Sequence, residues 1–195
     1  MVQINDIVPR LMLQARTDQH NNVDHLGGHL PIIATGHRFV HLGVHFFDVN
    51  TAELDNSDTS FHLISTPAHG DFETECHLLI AVETALKSTV ELYEGVTGTT
   101  PTTVPFNSRR DSANVAESRV GNAFTGYTGG TLLEQFYLGS SGRYRAGGSG
   151  SRDDEIILKQ STTYALKVTS HAASNRIFSR FSWYEIGANI IGGSV

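Results

Sequence analysis

Three histidines, His37, His41 and His45, recur every four residues, and six more lie between His20 and His77. Imidazoles ligate transition metals and titrate near pH ~6.5, so such a run could hold a metal or make a contact pH-sensitive. The element that carries them decides. On a strand, residues four apart share a face but lie roughly 13 Å from each other, too far for bonds of about 2.0–2.1 Å to a single metal. A helix would bring them together. Phe39, Val40, Val44 and Phe46 favour a strand, and the stretch Phe39 to Phe47 alternates, with Val40, Leu42, Val44 and Phe46 on one face and His41 and His45 on the other. The expectation is a strand with His41 and His45 turned to solvent or to a partner. The metal-binding alternative is a cupin-like site gathering His41 or His45 with His62, His69 or His77. Against it, the short His-x-His signature of such sites is absent and Pro67-Ala68-His69-Gly70 reads as a turn. No metal and no cofactor is expected.

Other reactive residue types offer less. Asp153-Asp154-Glu155 is a run of carboxylates, yet neighbours in an extended chain point apart, and no second cluster supports glycoside hydrolysis or calcium binding. It reads as the solvated start of a strand. Gly147-Gly148-Ser149-Gly150-Ser151 lacks the Gly-Lys-Ser/Thr of a phosphate loop and the Gly-x-Ser-x-Gly of a nucleophile elbow. No catalytic residue is expected. The arginines carry more information: Arg109, Arg110, Arg119, Arg143, Arg145 and Arg152 fall in the glycine-rich second half, with Tyr144 between two of them. Arg and Tyr in loops that order on contact suit a protein interface; solvated charges that keep the loops soluble are the other reading. The candidate partner-binding set is Arg109, Arg110, Arg143, Tyr144, Arg145, Arg152, His41 and His45.

The elements that must position these residues read as β. The chain has 195 residues, 39% hydrophobic and 17% charged, with 19 glycines. That charge fraction is below the ~25% of ordinary globular proteins. Candidate strands are Phe39 to Phe47, Ser60 to Thr66, Phe72 to Thr84, Thr89 to Glu94, Leu132 to Leu138, Glu155 to Lys159, Thr163 to Thr169 and Arg176 to Glu185, with one or two short ones near Val115 to Val120. The last carries aromatics on both faces and is expected to be central. Gly139 to Ser151 reads as a long loop without regular structure. The fold expected is all-β, an antiparallel two-sheet β-sandwich, jelly-roll-like. Residues 39–186 would form the sandwich, 187–195 an apolar tail, and 1–38 an extended N-terminal arm, although a first edge strand with a long loop reads equally well there.

Charge and cysteine content narrow the partners. Residues 1–97 carry four Lys/Arg against thirteen Asp/Glu, whereas residues 98–195 carry ten against seven, within a formal charge of −6. An acidic chain lacks the clustered cations of a general nucleic-acid binder, so none is expected. No run approaches ~18 consecutive apolar residues, and no export signal opens the sequence, so no membrane partner is expected. Cys76 is the single cysteine, which excludes an intrachain disulfide.

Val90-Glu91-Leu92-Tyr93-Glu94-Gly95, then Val104-Pro105-Phe106-Asn107-Ser108-Arg109-Arg110, the Gly/Arg loop 139–151, Asp154 to Lys159 with Thr162-Thr163-Tyr164, and Phe181-Ser182-Trp183-Tyr184-Glu185 together form a layout over Ser88 to Glu185. This half of the chain resembles capsid decoration, or cement, proteins of tailed bacteriophages. The resemblance implies a structural virion protein, not an enzyme, that binds the exterior of an assembled capsid. It would do so as a homo-oligomer, often a trimer, clamping neighbouring major capsid subunits after assembly in the host cytoplasm. A head fibre or tail-associated adhesin, and a cupin-type metalloprotein, are the alternatives.

Overall fold

The computed structural model describes residues 35–68, 75–98, 100–122, 126–139, 146–149 and 155–186. The chain divides into Met1–Thr35 and Gly36–Val195, and the described fold belongs to the second unit. Of the expected arm 1–38, residues 1–34 lie outside the described residues, as does the tail 187–195.

The first described element corrects the sequence reading. Thr35–His41 is a helix, α1, and the strand β1 begins only at His45, running to Leu54. Gly43, at φ +68°, ends the helix. Its N–H bonds Val40 O at 2.9 Å while Val44 N bonds Phe39 O at 3.1 Å. These are the paired five-to-two and six-to-one bonds of a Schellman cap, with glycine at the left-handed position. Arg38 in the last turn complements the carbonyl end of the helix. The alternation Val40, Leu42, Val44 therefore spans a helix, its cap and a strand start rather than one strand.

Ten further strands follow: β2 (Thr59–Ser65), β3 (Glu75–Thr84), β4 (Ser88–Glu94), β5 (Phe106–Asn107), β6 (Arg119–Gly121), β7 (Thr131–Leu138), β8 (Ala146–Ser149), β9 (Ile156–Leu158), β10 (Thr163–Ser170) and β11 (Asn175–Ile186). They form two antiparallel sheets, one ordered β5-β1-β11-β3-β8 with β9 also on β3, the other β6-β2-β10-β4-β7. The all-β two-sheet sandwich is as expected, and β11 is central between β1 and β3. The strand β8 is a correction, since it lies within the stretch read as irregular. It pairs Ala146–Ser149 with Ala81–Thr84 of β3. Ladder bonds are made by backbone, so a run of glycine and serine can pair wherever a partner edge is open.

Alternation along the strands builds the core. Phe46, Leu78, Val82, Val90, Leu92, Tyr164, Leu166, Val168, Ile177, Phe181 and Trp183 all turn inward and are buried. Cys76 is buried among them, and its thiol pKa is raised by burial, with the Glu185 carboxylate adding to the shift. It is held as a thiol, a packing residue rather than a nucleophile. On the outer side of the second sheet, Phe61, Leu63, Val96 and Ala165 form a smaller cluster against which Tyr93 and Tyr127 pack.

Candidate protein-binding surface

Of the eight residues singled out as partner-binding, four lie among the described residues, and the fold brings them to one place. The turn after β5 docks on the end of α1: Arg109 Nη1 donates to His41 O at 2.8 Å, and Ser108 Oγ meets His45 Nδ1 at 2.6 Å. Asn107 locks the turn. Its side-chain amide donates to Gly43 O and Asn114 O, and its Oδ1 accepts from Arg109 N. Asn114 Nδ2 closes the contact on Leu42 O at 3.2 Å. The spacing of His45 and Ser108, 63 residues apart, is one that no local pattern could reveal. Arg143, Tyr144, Arg145 and Arg152 lie outside the described residues.

The exposed surface so formed mixes cations with apolar groups. Leu42 is 42% exposed, Phe106 52% and Val115 62%. Arg110 lies over the Phe106 ring at 5.3 Å from its centroid, and Arg109 pairs with Asp111 at 3.0 Å. The Asp111 carboxyl is held below its usual range by the Arg109 hydrogen bond and charge. Such a cation on an aromatic face, beside exposed aliphatics, is the composition of a protein contact.

Rings hold this surface to the sheet. Phe39 of α1 stacks on Tyr184 of β11 with centroids 4.3 Å apart, and His77 of β3 stacks on Tyr184 as well, at 4.5 Å. Glu155 Oε1 accepts from Tyr184 Oη and stands at 2.5 Å from His77 Nδ1. This corrects the reading of Glu155 as a solvated strand start: a residue from a charged run becomes the half-buried acceptor for two side chains. Asp153 and Asp154 lie outside the described residues.

At Gly43 the fold leaves the sequence little freedom. Besides its left-handed φ, a Cβ there would run into the Ser112 side chain. Gly43→Ala is expected to lower the unfolding free energy by about 1–2 kcal/mol from the left-handed strain alone, measured by urea denaturation. No loss would mean that the helix cap and the 107–114 turn relax freely.

A second constellation has triad-like composition. His62 of β2 faces Asp48 of β1 at 3.0 Å through Nε2 and Ser179 of β11 at 3.1 Å through Nδ1. All three are buried between the sheets, and His62 stacks on Phe181 at 3.9 Å. A serine nucleophile must be reached by its substrate, and this one is walled in. The group pins sheet to sheet, joined by Asn50, which donates to Ser60 Oγ and Phe61 O. The signal was present in the sequence, because Asp48 and Asn50 share the inward parity of Phe46. Their partners, however, come from the other sheet.

The strand histidines do not converge. His45 and His77 lie on the outer face of one sheet, paired with Ser108 and with glutamates, while His62 points into the core. Among the described residues, no group of three His, Cys, Asp or Glu could hold a metal, and His69 is outside them. No protein-family model, curated protein or solved structure matches this chain.

Proposed function

We propose that this chain is a structural virion protein of a tailed bacteriophage. It binds the outer surface of an assembled capsid and stabilises it by clamping neighbouring major capsid subunits. It acts by contact and not by turnover, as a homo-oligomer, with a trimer as the working stoichiometry. The observation that carries the binding reading is the exposed surface of Leu42, Phe106 and Val115 with Arg109 and Arg110, mounted on a packed sandwich. The likeness of Ser88 to Glu185 to capsid decoration proteins supplies the kind of partner. Repeated subunits make modest patches sufficient, because contacts that are weak singly become tight when one oligomer engages several sites at once.

The test is to mix the protein with undecorated capsids and count the copies bound. Many copies distributed over the shell are expected; a few at a single vertex would point instead to a fibre or adhesin, and none would end the reading. Arg110→Ala is the diagnostic variant, since its contacts are the Phe106 face and a long bond of 3.4 Å to Asn107 O. It should weaken capsid binding by about tenfold or more, as interface arginines do, while leaving the melting temperature within a few degrees. Unchanged affinity would show that Arg110 is a solvated charge.

A further inference from the structure

We propose that His37 and His41 form a bidentate chelating site for a divalent transition metal of tetragonal preference, Cu2+ or Ni2+. The two side chains sit one turn apart on α1, and their Nε2 atoms face each other at 2.9 Å, with centroids 4.5 Å apart and ring planes at 85°. For metal–nitrogen bonds of about 2.0–2.1 Å, ligands at a right angle have nitrogens about 2.9 Å apart, whereas a tetrahedral angle requires about 3.3–3.4 Å. The separation present matches two adjacent corners of a square-planar or octahedral ion. That is the geometry Cu2+ and Ni2+ adopt among nitrogen and oxygen ligands.

The protons balance simply. In the metal-free contact one Nε2 carries the hydrogen that it donates to the other. When the ion enters, that ring becomes the Nδ1–H tautomer, so both Nε2 lone pairs face the metal and no net proton leaves. Both rings are exposed, so water completes the coordination shell. Among the described residues, the charges around the pair are Arg38 on the same helix and Arg109 through its bond to His41 O, the latter paired with Asp111. Among the described residues Arg38 has no carboxylate partner, and its charge lowers affinity without blocking access. This inference stands apart from the capsid-binding reading, and either can fail alone.

The test is calorimetric titration of the full chain with CuCl2 and NiCl2 at pH 7.5. The chain holds eight other histidines, so the informative quantity is the difference between wild type and each of H37A and H41A. Each variant should lose one equivalent of metal, or bind it at least about tenfold more weakly, because the second nitrogen acts as an intramolecular ligand. The Cu2+ electron paramagnetic resonance spectrum should lose a two-nitrogen component in both. H41Q, which keeps a polar helix-compatible side chain, guards against helix loss and should behave like H41A. Unchanged stoichiometry, affinity and spectrum in these variants would overturn the site.

Discussion

Replacing Trp183 with alanine is expected to remove about 3–5 kcal/mol of stability, a large part of the ~5–15 kcal/mol that holds a typical domain folded. Trp183 is fully buried on the central strand β11, with Phe46 of β1 beside it at 6.2 Å between centroids. Its removal leaves a cavity that two sheets locked by their ladders cannot close. The indole also has a polar task. Its Nε1 donates to Glu185 Oε1 at 3.0 Å, and the same buried carboxylate accepts from Ser118 N at 3.0 Å and Glu117 N at 2.7 Å. Trp183→Phe separates the two effects, since it keeps most of the volume and deletes the donor. Its expected cost is about 1–3 kcal/mol, the range for a buried acceptor left short of a donor. Urea denaturation followed by circular dichroism measures both variants without relying on the lost fluorophore. If W183A loses less than about 1 kcal/mol, the inter-sheet packing around Trp183 is not what stabilises the fold.

The second large effect is acid destabilisation through His62. Burial pulls its pKa below the usual 6.5, while the hydrogen bond and charge of Asp48 pull the other way and only partly offset it. The folded state thus resists a proton that the unfolded chain accepts. Stability from this group is fully present above pH ~6.5 and declines as pH falls below it, towards the lowered native value, by at most about 1.4 kcal/mol per pH unit. Urea denaturation of wild type and His62→Gln at intervals between pH 7.5 and 5 tests this in a window above most carboxylate titration. The wild type should lose stability on acidification faster than the variant by up to that slope. Parallel profiles would show that His62 takes up its proton without cost in the native state. The network that creates this sensitivity, Asp48, His62 and Ser179, is also what joins β2 to β1 and β11 across the sandwich.

Several elements were legible in the chain because their information is local. The strands β2, β4, β7, β10 and β11 begin and end within a residue or two of where alternation and turn residues placed them. The inward parity of Cys76, Leu78, Ile80 and Val82 in β3 was readable in the same way. Local signals misled at two places for different reasons. At Thr35–His41 the apolar alternation belongs to three successive structures, and Gly43, of the residue type that most often takes the left-handed cap, is the local stop signal between them. At Ala146–Ser149 composition indicated a loop, yet β3 offers an edge there that accepts any backbone.

The candidate surface divides along the same line. Residue types alone marked Arg109, Arg110, His41 and His45 as suited to a protein contact, and chain order placed them in two distant segments. Their meeting depends on Arg109 reaching His41 O and on Ser108 meeting His45, bonds that span 68 and 63 residues. The helix likewise converted His37 and His41 from ligands roughly 13 Å apart on a strand into nitrogens 2.9 Å apart.

By itself, then, the sequence determined the β character, the two-sheet sandwich and the sidedness of most strands, because a period of two and the turn chemistry of glycine act over a few residues. Tertiary structure alone decided that His62 is a buried sheet-to-sheet link, that Glu155 serves His77 and Tyr184, and that Arg109 meets the end of the first helix while Arg110 covers Phe106. Each of these depends on which strands become neighbours. That choice is made by burying the apolar faces of both sheets together, a property of the whole chain that no short stretch contains.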